Sequence, residues 1–155
     1  MAHAIADRLA TIVPLPITDE RAVLPTQPLA KAQALADYVA TKAASTTPVL
    51  GAGRIVADLG DGHAALRPAV HLLSHPDVDV LNVELPFPCV WVSAWSREDG
   101  LAPLRGSLVV NAITGDGDLI DCLVAEPGVT TSTAVGTPPT TPRPVSPMTD
   151  TLPIS

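Results

Sequence analysis

Glu84 is the residue whose type and setting best suit chemistry. It stands just before a Pro-Phe-Pro bend, Pro86-Phe87-Pro88, which opens into the apolar run Cys89-Val90-Trp91-Val92, rich in strand-forming side chains. Each proline fixes its own φ and biases the residue before it to extended backbone, so Leu85 and Phe87 have little freedom to move Glu84. A carboxylate is thereby held at the mouth of a buried strand, a setting suited to a polar ligand. The two cysteines, Cys89 and Cys122, are the available nucleophile types, but a reactive cysteine needs a stabilised thiolate. The apolar neighbours of Cys89 predict a raised pKa and a packing role, and Cys122 falls on the expected buried face of a helix. Their separation gives neither a Cys-x-x-Cys zinc spacing nor a disulfide framework. No catalytic residue is assigned.

Two further clusters resolve the same way. His71 and His75, near Asp77 and Asp79, have the four-residue spacing of a metal pair only if one helix face carries both. Pro68, Pro76 and the Val-His-Leu-Leu pattern predict strand and loop instead, so no metal ligand is assigned. Gly51-Ala52-Gly53 lacks the third glycine and following helix of a dinucleotide fingerprint and reads as a plain turn.

The elements that must position these residues follow from periodicity. Ile5, Leu9 and Ile12 mark a short amphipathic helix over 2–12, ended by Pro14 and Pro16. Pro28 suits the first turn of a second helix, whose apolar stripe Leu29, Ala32, Leu35, Ala36, Val39 and Ala43 runs to about residue 44. Short strands are expected at 49–50 and 54–59, with Gly60-Asp61-Gly62 closing a hairpin into a strand over 64–73. After the Glu84 stretch, Ser96-Arg97-Glu98-Asp99 predicts a short helix to about 104, then a strand over 108–113 and a helix over 118–125 buried on Leu119, Cys122 and Leu123. This progression predicts an α/β fold built of βαβ units with a mainly parallel sheet.

Composition removes whole classes of function. The chain has 155 residues and a formal charge of −7 from nine basic and sixteen acidic side chains, with a pI near 4.8. A phosphate-backbone partner needs clustered positive charge, so nucleic acid is not expected. Mean hydropathy is high at +0.32, yet charged residues, Pro and Gly interrupt every run short of the roughly 20 residues that span a bilayer. Asp7 and Arg8 break the apolar core that a signal peptide would need, so the expected location is cytoplasmic and no membrane partner is expected.

With its flanks, the Glu84 stretch resembles the Glu-Ile-Phe-Gly-Pro-Val segment of the NAD(P)-dependent aldehyde dehydrogenases. Leu66-Arg67-Pro68-Ala69-Val70 looks like that family's aromatic-x-Pro-Thr-Val strand, residues 19–29 like its Asp-x-Gly-Pro-Leu-Ile loop entering a helix, and residues 108–125 like a strand and helix before its last core strand. Each motif is loose, but they arrive in the family's order. The resemblance implies that residues 1–129 are the C-terminal part of an aldehyde-dehydrogenase-like catalytic domain, an oxidoreductase fold that converts an aldehyde to a carboxylic acid with NAD or NADP as cofactor. It implies that Glu84 grips the nicotinamide ribose, since a carboxylate accepts hydrogen bonds from vicinal hydroxyls. Pro86 and Phe87 replace the family's aromatic residue and glycine, and Phe87 is the expected contact to the nicotinamide ring. Family members are homo-oligomers of about three times this length, judged by ordinary domain sizes. The family's nucleophilic cysteine would precede Met1, and no cysteine precedes Cys89. The chain is therefore expected to be inactive alone, with an upstream half of the same enzyme as its partner; the alternative is a non-catalytic α/β interaction module or gene remnant.

From residue 130 to 155 the chain is dominated by Thr, Pro and Ser, a composition that buries too little apolar surface to offset chain entropy, so a disordered tail is expected. A sharper expectation is that this tail is an out-of-frame reading. With G/C-rich codons and one base restored, Thr130-Thr131-Ser132-Thr133 becomes Thr-Asn-Val-Tyr, a strand-like sequence, and residues 147–152 become His-Asp-Gly-Tyr-Leu.

Overall fold

The structure is a computed structural model and describes residues 1–107 and 109–133. They fall into two compact units, Met1–Ser107 and one beginning at Leu108.

The first unit opens with α1 (Ala2–Leu9). It ends three residues before the predicted Ile12, its last carbonyls taken up by turn bonds from Thr11 and Ile12 ahead of Pro14. Strand β1 (Thr26–Pro28) leads into α2 (Leu29–Lys42). Pro28 lies just outside that helix rather than in its first turn, in extended backbone paired with His63. After a 3-10 turn at Ala43–Ser45 come β2 (Thr47–Leu50), β3 (Val56–Gly60), β4 (His63–Leu66) and β5 (Ala69–Leu73). The Gly60-Asp61-Gly62 hairpin forms as predicted, all three residues having positive φ.

The single strand expected over 64–73 is two strands in two sheets. Pro68 donates no hydrogen bond, and the chain bends at Arg67-Pro68, where the Arg67 amide bonds to the Ile55 carbonyl at 2.6 Å. A one-turn helix α3 (Val78–Leu81), capped by Asp77 accepting from the Asp79 amide at 3.0 Å, precedes β6 (Cys89–Ser93). The helix predicted from Ser96 is instead two 3-10 turns, Arg97–Asp99 and Ala102–Leu104. Asp99 does cap the first, accepting from the Ser96 amide and hydroxyl, but Gly100 then turns to φ 64° and breaks the helix.

The second unit contains β7 (Val110–Ala112), α4 (Gly117–Ala125) and β8 (Thr131–Thr133). Asp116 caps α4 by accepting from the Leu119 amide at 3.1 Å.

Sheet order is β1-β4-β3, β2-β5-β6 and β7-β8. The α/β class holds, and strand, helix, strand runs with parallel pairing occur at β5-α3-β6 and β7-α4-β8. The expected mainly parallel sheet does not: among the described residues β1–β4, β3–β4 and β2–β5 are antiparallel, so the sheets are mixed. The tight 60–62 turn can join only antiparallel neighbours, because a parallel pair needs a long crossover. Disorder from residue 130 also gives way in part, since Thr131–Thr133 form β8; β-branched threonines fit a strand. The rest of the expected tail, and its out-of-frame reading, lies outside the described residues.

The core has two faces that meet at β5. Val70 packs with Ala2 and Ala6 of α1, joined by Val49, Leu50, Val90 and Val92. Ala69 belongs to the opposite cluster, with Ala32 and Val39 of α2, Ile55, Ala64, Leu66 and Phe87. Period-two alternation sends neighbouring side chains to opposite faces, and cover on both is what a parallel strand pair requires.

Candidate functional site

Glu84 lies exposed in the loop between α3 and β6. The loop is anchored on either side of Pro86: Leu85 packs partly buried against the α2 cluster, and Phe87 is inside it at 7% exposure. The Pro88 carbonyl then accepts from the Ala69 amide at 3.0 Å, starting the parallel ladder. The stiffness expected from the two prolines is thus reinforced by two apolar anchors, and Glu84 is held facing out with no ion-pair partner among the described residues. Phe87, the expected nicotinamide contact, has its ring in the protein core rather than on the surface beside Glu84.

Cys89 is half-buried on β6, and desolvation pushes its thiol up to about 11, as Val90, Trp91 and Val92 predict. Cys122 corrects the expected buried face of α4: Leu123 is buried, Leu119 partly so, and Cys122 is exposed. His71 is on β5 and His75 lies past its end, so they do not share a helix face.

His71, weighed in the sequence only as half of a metal pair, is a buried polar group in its own right. It is 5% exposed, its ring 4.9 Å from that of Trp91, its partner in the parallel register. Its Nδ1 lies 3.0 Å from the Thr46 hydroxyl, and that hydroxyl lies 2.9 Å from the Ala43 carbonyl. A carbonyl only accepts, so the Thr46 hydrogen goes to Ala43 and Nδ1–H donates to Thr46. This assigns the tautomer: Nε2 carries a bare lone pair. Burial lowers the pKa of the ring, which favours that neutral form. Nε2 has no partner among the described residues, and neither does the buried indole N–H of Trp91. The available signal was a lone histidine within an otherwise apolar strand, Ala69-Val70-His71-Leu72-Leu73.

His71 lines a cleft of about 390 Å³ between α2 and the loop over 51–55, together with Gly51, Gly53, Arg54, Arg67 and Asp37. On the other side of Gly51, Arg54 and Arg67 a second cleft of about 440 Å³ runs to Leu9 and Pro14. Neither of these two clefts is lined by Glu84 or Phe87. The structure therefore holds two separate polar features, an outward carboxylate before β6 and a cleft lined by Arg54, Arg67 and the buried His71. Among the described residues no group of three or more His, Cys, Asp or Glu side chains is arranged to hold a metal, and no helix is long and apolar enough to cross a membrane.

Family models, curated proteins and solved structures were all compared with the chain, and none matches.

Proposed function

We propose that this chain is the C-terminal part of an aldehyde-dehydrogenase-like catalytic domain, supplying Glu84 to grip the nicotinamide ribose of NAD or NADP while other segments supply the nucleophile and the rest of the cofactor site. The carrying observation is Glu84 itself, outward and unpaired on a loop pinned by Leu85 and Phe87 at the start of a parallel strand. A fixed carboxylate with free lone pairs accepts from two ribose hydroxyls without reorganising. The order of sequence motifs around it supports the same reading. Of the two thiols, Cys89 is too weakly ionised to attack a carbonyl at neutral pH. The isolated chain is therefore inactive in this reading.

The test is reconstitution. The reading frame adjacent on the DNA is co-expressed with this chain, and aldehyde-dependent NAD(P)H formation is followed by absorbance. Activity should require both polypeptides, and Glu84→Gln should lower it roughly tenfold, the size of one lost charge-assisted hydrogen bond pair. Turnover by the purified chain alone, or an unaffected Glu84→Gln complex, would refute the proposal.

One observation favours a second reading, a non-catalytic interaction module. Val13, Ile17 and Val23 are exposed at 60%, 78% and 69% within the loop between α1 and β1, a concentration of apolar surface suited to contact with another protein. This reading is favoured if the neighbouring DNA encodes no cofactor domain.

A further inference from the structure

We propose that the groove between the 9–14 segment and the loop after β2 binds a medium-chain monocarboxylate, its hydrocarbon tail on Leu9, Ile12, Val13 and Leu50 and its carboxylate on Arg54 and Arg67. The site shares no residue with the Glu84 loop and goes beyond the aldehyde dehydrogenase reading.

Three observations combine. The first is the lining. This second cleft, of about 440 Å³, carries the apolar side chains of Leu9, Ile12, Val13, Pro14 and Leu50, and its ionisable lining residues are two arginines, Arg54 and Arg67, with no Asp or Glu. Asp37 lines the neighbouring cleft instead. Two cations thus border an apolar groove in a chain whose net charge is −7, so preference for an anion here has to come from this local arrangement and runs against the overall field.

The second is accessibility. Arg54 and Arg67 are exposed, Val13 is 60% exposed, and Leu9, Ile12, Pro14 and Leu50 are half-buried. Leu9 and Leu50 pack on one side against the cluster of Val70 and α1, which fixes them while their other side stays open. A hydrocarbon tail laid over them removes apolar surface from water. The volume is at the small end of ligand pockets, which suits a chain of roughly eight carbons.

The third is a fixed mount on both sides. After α1 the chain is turned by the Thr11 and Ile12 amides, which donate to the Arg8 and Leu9 carbonyls at 3.3 and 3.1 Å, and by the Thr11 hydroxyl, which donates to the Arg8 carbonyl at 2.8 Å. Facing it, Arg67 Nη1 donates to the Arg54 carbonyl at 3.4 Å. Gly51 sits at φ +82°, where a Cβ would lie 3.0 Å from Ile55 Cγ2 and 3.1 Å from the Pro68 carbonyl, so the loop is fitted tightly to the bend that carries Arg67. The Arg54 guanidinium has no ion-pair partner among the described residues, and its planar fork of N–H donors matches a carboxylate. An exposed guanidinium alone holds a carboxylate weakly in water; the tail supplies the rest of the affinity, and the arginines set which end of the ligand carries the charge.

The experiment is calorimetric titration of the whole chain with octanoate, acetate and octylammonium. Acetate has the head group without the tail, and octylammonium has the tail with the opposite charge, which the net charge of the chain would favour. Octanoate should occupy one site and bind at least roughly tenfold more tightly than either, since each control lacks one of the two contributions. Arg54→Ala, an exposed substitution that removes no side-chain bond found among the described residues, should weaken octanoate roughly tenfold with an unchanged unfolding midpoint. Val13→Asp, which puts a repelling carboxylate in the groove, should weaken it as well. In amide spectra of unaltered protein, residues 9–13, Gly51 and Gly53 should shift with octanoate while Glu84 does not. Octylammonium binding as tightly as octanoate, undiminished binding by Arg54→Ala, or shifts centred elsewhere would each overturn the proposal. So would a concentration-dependent dimer that Val13→Asp abolishes and octanoate leaves intact, which would assign the groove to a second copy of the chain.

Discussion

Two strand pairs in this protein have the same plan and very different support. Both β5–β6 and β7–β8 are parallel, each with a helix between its strands. On β5 the side chains of Ala69, Val70, His71 and Leu73 are all buried, α1 covering one face and the α2 cluster the other. On β7 only Ala112 is buried; Ile113 just beyond it is 89% exposed, and α4 buries Leu123 while leaving Val124 at 62%. Each fully buried aliphatic side chain contributes about 1.5–3 kcal/mol, so the first pair rests on side-chain packing and the second mainly on its ladder and the Asp116 cap. Shared topology therefore does not imply shared stability, and the two units should open at different free energies.

The largest expected effect of this contrast is in the core. Leu66→Ala, at a fully buried position packed with Ala69, should lower unfolding free energy by about 2–5 kcal/mol, whereas Val124→Ala on α4 should change it by about 0.5 kcal/mol or less. Urea unfolding followed by far-ultraviolet circular dichroism, which reports helices and strands of both units, measures both, and similar losses from the two would end the comparison. Next come the thiols, one in each unit. With its pKa near 11, Cys89 holds about a hundredfold less thiolate at neutral pH than an ordinary thiol, because two pKa units are two powers of ten. Iodoacetamide followed by mass spectrometry should therefore label exposed Cys122 well before Cys89. The reverse order would show that the β5–β6 core opens more readily than the packing implies.

The same contrast explains how far the sequence could be read. The α2 stripe was legible because Ala32, Leu35, Ala36 and Val39 repeat at helical spacing and do pack inward. The hairpin was legible because three consecutive residues at 60–62 favour positive φ, and the Glu84 loop because prolines leave few alternatives. The break at Arg67-Pro68 was hidden by continuous apolar patterning on both sides, which gives periodicity but not sheet membership. The α4 face was misjudged because a short helix with Leu119, Cys122, Leu123 and Val124 has apolar residues on several sides, and only tertiary cover decides which are buried. His71 was weighed only as half of a metal pair, because an apolar strand pattern does not reveal the Thr46 partner and the unsatisfied Nε2 that mark it as a buried polar group.

A glycine in each unit sharpens the comparison at a smaller scale. Gly51→Ala should destabilise by about 1–3 kcal/mol, since an L side chain is strained at positive φ, and its Cβ would press on Ile55, Ala69 and Pro68. Gly115, before α4, has open space and no positive φ, so Gly115→Ala should instead stabilise by roughly 0.4–1 kcal/mol by restricting the unfolded chain. Thermal unfolding of the two variants should move in opposite directions. Shifts of the same sign would mean that the 51–55 loop is less constrained than its contacts indicate.

The smallest effect is a pH dependence seated in the better-packed unit. Burial holds His71 below the ordinary histidine value of 6.5, while in the unfolded chain the ring titrates at about 6.5. Between those two values the unfolded chain binds the extra proton and the folded one does not, so stability rises with pH across this window. The contribution is fully present above about pH 6.5 and is lost as pH falls toward the folded-state pKa. The measurement is the difference between unaltered protein and His71→Gln, in which the contributions of all other groups cancel. Urea midpoints taken over this range should show the unaltered protein losing stability relative to the variant as pH falls. A flat difference would mean that the ring is protonated in the fold as easily as in water.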